Sequence, residues 1–195
     1  MKTIDRCGRF LSGVVYRNIA ILIATGILRI LFSPVGWFPD PHLYDLVTPM
    51  MNVLVPILFA YTGGQMIGDT RGGIIAAFVM LCAVYGSNQE YPMILASLLI
   101  GPGIGFLIAK IDKWLENVIP SGFELLLYNA ISAVVGVIFG LLSFLYLGSV
   151  MESFIHILMA EMQLLIASGL LPLIALLIEP GKVLFFNNTM NHGIL

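Results

Sequence analysis

A short polar segment at residues 179–195 carries most of the side chains in this chain that could do chemistry. It reads E-P-G-K-V-L-F-F-N-N-T-M-N-H-G-I-L, and the sequence before it is predominantly apolar. If 183–193 is helical, four polar side chains fall at i, i+1, i+4 and i+5 and share one face. These are Asn187, Asn188, Asn191 and His192. Amides donate and accept hydrogen bonds, and the carboxylate of Glu179 accepts from two hydroxyls, so the set suits a neutral polyhydroxy ligand. The segment therefore suggests a sugar or polyol site.

The composition excludes an ordinary soluble domain. Hydrophobic residues make up 59% and charged residues 10% of the chain, against roughly 45–50% and about 25% in soluble proteins. The 11 acidic and 9 basic residues nearly cancel, so the chain has no electrostatic footprint for nucleic acid. Cys7 and Cys82 form neither a disulfide framework nor a metal-binding pattern. We expect a polytopic membrane protein, a single membrane domain over residues 1–195, with no metal and no cofactor.

The apolar runs predict an all-α fold with about six transmembrane helices. They lie at about 18–38, 46–67, 74–86, 92–111, 123–148 and 152–178. The third run is short for a full span. The glycine-rich stretches at 63–73 and 101–105 lack the spacing of a phosphate-binding loop and indicate close helix packing or a kink. The segment after residue 178 is too polar for an ordinary span, and the Pro180-Gly181 break predicts a re-entrant polar segment.

The distribution of basic residues predicts the orientation. Basic side chains occur before the first span, in the turn at 69–73, in the loop at 110–121 and at the end of the sixth span, while the intervening loops have none. They are Lys2, Arg6, Arg9, Arg17, Arg71, Lys110, Lys113 and Lys182. Because basic loops stay on the cytoplasmic side, we expect residues 1–17 to form a cytoplasmic N-terminal segment.

Several polar residues near or within the spans have two readings. Arg29 either snorkels to the membrane surface or pairs with an acid elsewhere in the bundle, and Glu161 is a conceivable partner. Glu124 either lines the cavity or lies at a helix N-terminus, where its charge favours the helix dipole. His156 has a structural role in our interpretation.

Five blocks of sequence resemble the mannitol-type enzyme IIC, the membrane permease domain of the phosphoenolpyruvate-dependent sugar phosphotransferase system. The most specific block is the polar segment, E-P-G-K-V-L-F-F-N-N-T-M-N-H-G. The others are G-R-F-L-S at 8–12, G-W-F-P at 36–39, Y-T-G-G at 61–64 with R-G-G at 71–73, and S-G-F-E at 121–124 with Asn129. The resemblance covers residues 8–194, in the order found in the N-terminal half of that domain.

The resemblance implies a function. Members of this family carry a polyol across the inner membrane, and a phosphocysteine on a IIB domain, charged through IIA, phosphorylates it on the way. It implies that Asn187, Asn188, Asn191 and His192 belong to the sugar-binding region, with Glu179 and Lys182 at its entrance. The permease alone is then not catalytic, and its partners are a mannitol-like polyol, IIB and IIA phosphocarriers, the lipid bilayer and a second copy in a homodimer.

The sequence also departs from the family pattern. A second half with a Gly-Ile-His-Glu motif follows in the family, whereas this chain has two residues after Gly193 and lacks that motif. We therefore expect either a complementing second-half chain or a truncated, non-transporting remnant. A secondary transporter or channel subunit is the alternative from another class. Which polyol is bound does not follow from the sequence.

Overall fold

In the computed structural model, all regular secondary structure in the described part of the chain is helical. It comprises residues 2–87, 93–116, 119, 122–147, 149, 150, 153 and 157, with side chains described from Gly8 onward. The longer helices are α1 (Lys2–Arg17), α2 (Ile19–Phe32), α5 (Val55–Tyr85), α6 (Ile94–Leu115) and α7 (Glu124–Leu142). The short elements are α3 (Pro41–Tyr44), α4 (Val47–Pro49) and two π-helical turns, Met50–Leu54 and Ser143–Leu147.

The chain begins with a broken helix. Asn18 separates α1 from α2, and the segments Gly8–Arg17 and Ile19–Phe32 meet at 56°. The first predicted span, 18–38, is therefore too long, because α2 ends at Phe32 and the residues after it form turns. The predicted cytoplasmic segment 1–17 is itself helical from residue 2. The Asp40 carboxylate then caps α3 by accepting hydrogen bonds from the backbone N–H groups of His42 and Leu43.

The long helix α5 folds back on itself at Gly68 and Asp69, whose backbone angles are not helical. Gly64 and Gly72 would lie about 12 Å apart along a straight helix. Instead, a Cβ atom added to Gly64 would meet the Gly72 carbonyl oxygen at 2.6 Å. The two parts of α5, residues 55–67 and 70–85, are thus antiparallel, and we call them the first and second arms of the hairpin. This reversal confirms the predicted turn after the second span.

Helix α6 packs along the hairpin through glycine backbone. A Cβ atom on Gly105 would lie 2.5 Å from the Gly64 carbonyl oxygen, and one on Gly101 would lie 2.8 Å from the Ala60 carbonyl oxygen. Aliphatic side chains fill the space beyond these contacts, including the fully buried Met80 and Ile108. Glycine removes the Cβ atoms that would hold the backbones apart. For both stretches the prediction was close helix packing or a kink. Both stretches pack closely, and 63–73 also contains the reversal at Gly68 and Asp69.

Helix α7 returns along the second arm and packs through small residues. Ser132 and Gly140 are buried in α7, and a Cβ atom on Gly140 would lie 3.0 Å from Cys82 Sγ. The outward face of α7 is apolar and exposed. In the described residues, three helical segments are long and apolar enough to cross a membrane: Pro41–Tyr85, Ile94–Leu115 and Glu124–Leu147.

The number of spans differs from the prediction. The bent pair α1 and α2 raises the count of candidate spans in the described residues to four, so about six is not confirmed. The hairpin explains part of this difference, because its two arms correspond to the predicted spans 46–67 and 74–86 within one continuous helical segment. The predicted span 152–178 and the re-entrant segment lie outside the described residues. The described helices form a polytopic helical membrane protein.

Candidate functional site

The predicted polyol-binding residues fall mostly outside the described part of the chain. Glu179, Asn187, Asn188, Asn191 and His192 all lie there, as do Lys182, His156 and Glu161. Their roles stay predictions. Glu124 is described: it is the first residue of α7, and its side chain is exposed. This position suits the helix-dipole role of its charge.

A polar cluster, which we call the Arg71 cluster, joins three helical segments at one end of the bundle. The Arg71 Nη2 atom donates a hydrogen bond of 2.7 Å to Asp112 Oδ2 and forms a salt bridge with it. The same guanidinium lies over the ring of Tyr128, 4.3 Å from the ring centroid. Arg71 thus connects the second arm of the hairpin with the end of α6 and the start of α7.

The Asp112 carboxylate is only half satisfied. Its side chain is 19% exposed, against 35% for Arg71. Within the described residues, Oδ1 of Asp112 is buried and has no hydrogen-bond partner. A buried carboxylate oxygen without a hydrogen-bond donor destabilises the folded state. Oδ1 of Asp112 can therefore accept a hydrogen bond from one further donor group.

Glu124 lies next to the Arg71 cluster. It precedes Tyr128 by four residues on α7, so the two side chains share one helix face. The guanidinium on one side of the Tyr128 ring and the carboxylate one turn away place opposite charges around the phenol. Glu124 therefore belongs to the polar end of the bundle, and its role in polyol binding stays a prediction.

The tight reversal of the hairpin positions Arg71. Gly68 lies against the backbone of Gly105, where an added Cβ atom would overlap the Gly105 carbonyl oxygen. Asp69 then adopts φ 53° and ψ −162°, a conformation that side-chain-bearing residues rarely adopt. The chain turns within these two residues, so Arg71 enters the second arm directly opposite the last turns of α6.

The predicted basic loops and the segments leading to the predicted non-basic loops meet at opposite ends of the bundle. The turn at 69–73 and the end of α6 meet through Arg71 and Asp112, and both were predicted to be cytoplasmic. At the opposite end, Gly86 touches the backbone of Phe144, so the segments leading to the predicted non-basic loops also come together. This pairing is consistent with the alternation of basic and non-basic loops. The side on which each end lies stays a prediction.

A second polar contact lies inside the bundle. Asn18 Nδ2 donates hydrogen bonds to the Val14 carbonyl oxygen at 2.9 Å and to Thr62 Oγ1 at 2.8 Å. Asn18 and Thr62 are both buried. The contact ties the break between α1 and α2 to the first arm of the hairpin. The contact uses the Asn18 amide and the Thr62 hydroxyl to join two helical segments, so its role is structural.

The chemistry of the described residues suits binding and positioning. The Arg71 cluster supplies a partly exposed guanidinium, a buried carboxylate oxygen and a phenol, which together can donate hydrogen bonds to hydroxyls and accept hydrogen bonds from them. The described residues contain no group of three or more His, Cys, Asp or Glu side chains placed to hold a metal ion. Arg29 is exposed in the last turn of α2, where a cation suits the helix dipole.

Sequence reasoning missed several of these residues. Asp112 lies in the loop at 110–121, which entered the prediction only through its basic residues, and Tyr128, Asn18 and Thr62 were not singled out. The signal for Asn18 was a lone amide just before an apolar run. The signal for Asp112 was an acid within a basic loop predicted to share a membrane face with Arg71.

The chain is similar to curated proteins from several bacteria. It is 43% identical over 192 residues to the "PTS system mannitol-specific EIICB component" of Halalkalibacterium halodurans, covering 98% of this chain and 41% of the relative. With the protein of the same name from Bacillus subtilis it shares 41% over 192 residues, 98% of this chain and 40% of the relative. The resemblance to mannitol-specific enzyme IIC is confirmed.

The match also extends to longer relatives. The "PTS system mannitol-specific EIICBA component" of Klebsiella pneumoniae is 42% identical over 187 residues, which are 96% of this chain and 29% of the relative. This chain therefore spans well under half the length of these relatives. No family model matches the chain, and no solved structure matches it.

Proposed function

We propose that this chain is a permease component of the phosphoenolpyruvate-dependent sugar phosphotransferase system. The observation that carries the proposal is 43% identity over 98% of the chain to a mannitol-specific EIICB component. The described helices that are long and apolar enough to cross a membrane support the proposal, because a permease must span the bilayer. Its location is the bacterial inner membrane, with the N-terminus in the cytoplasm.

The substrate in this proposal is mannitol or a related polyol. Asn187, Asn188, Asn191 and His192 supply donors and acceptors to its hydroxyls, with Glu179 and Glu124 as further acceptors. Hydrogen bonds without charge neutralisation suit a neutral ligand. The names of the relatives combine C with B, or with B and A, which supports IIB and IIA proteins as the phosphorylating partners here.

The Arg71 cluster has a mechanical role in this function. Charge pairs and stacked rings resist separation, and this cluster holds the hairpin, α6 and α7 together at one end. In the predicted orientation, that end faces the cytoplasm, where IIB approaches. The cluster then fixes the geometry of the face on which the phosphoryl donor docks.

Phosphorylation coupled to uptake tests the proposal. Membranes containing this chain, with and without a co-expressed polypeptide covering the remaining length of its relatives, are supplied with mannitol, phosphoenolpyruvate, the soluble phosphocarriers and IIB. We expect mannitol phosphate to form, dependent on phosphoenolpyruvate and unaffected by collapse of ion gradients. Mannitol uptake that needs an ion gradient and no phosphoenolpyruvate would indicate a secondary transporter instead. No uptake and no phosphorylation in either membrane would indicate a non-transporting remnant.

A further inference from the structure

An apolar groove, lined mainly by residues of α6, runs along the outside of the described bundle. It has a volume of about 430 Å³, within the range of about 300–1,000 Å³ typical of ligand pockets. The residues that line it include Val79 on the second arm, Gly103 and Ile104 on α6, and Phe139 on α7. Nearly all the lining is hydrocarbon, so the groove offers no set of hydrogen-bonding groups for a polyol.

The rim of the groove faces outward rather than into the bundle. Leu99 and Phe106 line it and are 65% and 62% exposed. Both belong to α6, a helix with the length and hydropathy of a membrane span. At this position a groove is open to the hydrocarbon part of the bilayer, where a flexible acyl chain can enter from the side.

A cation and an aromatic ring continue the same face of α6. Lys110 follows Phe106 by four residues and Trp114 follows Lys110 by four, so the three side chains lie in a row. Lys110 is exposed, and Trp114 is 65% exposed. Tryptophan and lysine near the end of a span occupy the headgroup level, with the lysine amine reaching toward water.

We propose that this groove and Lys110 form a binding site for an anionic phospholipid. One acyl chain lies in the groove between Leu99 and Phe106, and the phosphate of the headgroup meets the ammonium of Lys110, with Trp114 beside it. The arrangement matches the two parts of such a lipid: an apolar groove for the chain, and a positive charge at the groove's end nearest the headgroups. The order groove, cation, aromatic ring along one face of α6 favours a lipid over a soluble ligand.

The structure offers two substitutions that separate the parts of this site. Gly103 lines the groove, and a Cβ atom on it would have nothing within 4 Å, so Gly103→Phe adds bulk to the groove from a position with free space. Lys110→Gln removes the charge and leaves the groove intact. Gly26, on α2, is equally open, so Gly26→Phe is the matched control for bulk. Arg17→Gln is the matched control for charge, because Arg17 is exposed and lies outside the groove.

Lipid retention by the purified full chain tests the proposal. The chain is extracted from vesicles holding equal amounts of phosphatidylglycerol and phosphatidylcholine with matched acyl chains, and retained lipids are counted by native mass spectrometry. We expect the wild type and both controls to prefer phosphatidylglycerol by about fivefold, which corresponds to the roughly 1 kcal/mol of one lysine near the headgroups. Lys110→Gln should bring the ratio near one while lipid is still retained, and Gly103→Phe should abolish retention.

Three results would overturn the proposal. The wild type retains no more lipid than Gly103→Phe, it retains the two lipids equally, or Arg17→Gln lowers the preference as much as Lys110→Gln. A Leu99→Cys variant distinguishes another occupant. Efficient disulfide cross-linking of this variant into a dimer in native membranes would assign the groove to a second copy of the chain.

Discussion

Replacing Gly105 with alanine should loosen the contact between α6 and the hairpin. The added Cβ atom would lie 2.5 Å from the Gly64 carbonyl oxygen and 2.9 Å from Gly64 Cα. Both neighbours are backbone atoms, so no side-chain rotation relieves the overlap. Because non-bonded atoms prefer about 3.5–4.0 Å, α6 must move away from the first arm by about 1 Å.

The size of the effect follows from two opposing terms. Overpacking of a close contact costs about 1–3 kcal/mol, whereas replacing glycine by alanine within a helix gains up to about 1 kcal/mol. Gly103→Ala carries the same helix gain without the contact, because nothing lies within 4 Å of its Cβ position. The difference between the two variants isolates the contact, and we expect Gly105→Ala to be less stable than Gly103→Ala by about 1–3 kcal/mol.

Reversible unfolding in mixed micelles measures this difference. The chain is titrated with sodium dodecyl sulfate in a mild detergent, and helix content is followed by circular dichroism. The Gly105→Ala transition should come at a lower dodecyl sulfate fraction than the wild-type transition, and Gly103→Ala at the same or a higher fraction. Equal transitions for the two variants would refute the close packing of α6 on the hairpin.

Three further experiments test the polar contacts and the reversal. Arg71→Ala should destabilise the protein by about 1 kcal/mol, since the Arg71–Asp112 pair is partly exposed. In a double-mutant cycle, adding Asp112→Asn to the same chain should recover part of this lost stability. Additive losses from the two substitutions would contradict the pairing. Asp69→Gly should raise the free energy of unfolding by about 1 kcal/mol, because glycine adopts a positive φ without strain, and a lower free energy of unfolding would contradict the tight turn. Asn18→Ala should lower the free energy of unfolding by about 1–3 kcal/mol, because it leaves the Thr62 hydroxyl buried without its donor. Protection of the first arm from hydrogen exchange should then fall, and unchanged protection would argue against the contact.

The sequence predicts the turn of the hairpin well and its geometry poorly. Polar and glycine residues at 69–73 interrupt two apolar runs, and this interruption predicts a turn. The direction and tightness of the reversal depend on Gly68 touching Gly105, a contact between residues far apart in the chain. Glycine spacing indicates that helices approach closely, but it does not say which helix is the partner.

The limits of the first predicted span also depend on contacts that the local sequence does not show. Apolar residues continue past Phe32, and hydropathy alone therefore extends the span to residue 38. The structure ends the helix at Phe32 and breaks it at Asn18, where a buried amide bonds to Thr62 in another helix. A tertiary hydrogen bond of this kind has no local signature, because a single asparagine is compatible with a helix end, a helix interior or a loop.

The candidate site, too, was predictable from the sequence only in part. The basic loops placed Arg71 and Lys110 on one membrane face, and the structure brings Arg71 to Asp112 at the corresponding end of the bundle. The pairing itself spans 41 residues of sequence, whereas the acid nearest to Arg71 in the sequence is Asp69, so proximity along the chain favours the wrong partner. The amide-rich segment was predicted from residue types and family motifs alone, and its geometry lies outside the described residues.

Binding of mannitol at equilibrium tests the central claim most directly. Membranes containing the wild-type chain and membranes containing an Asn191→Ala, His192→Ala double variant, at matched chain levels, are titrated with radiolabelled mannitol in the presence and absence of sodium ions and a proton gradient. We predict saturable, ion-independent binding to the wild type that is lost in the double variant. Saturable binding that survives in the double variant, or that requires an ion, would contradict the proposed polyol site in the terminal segment.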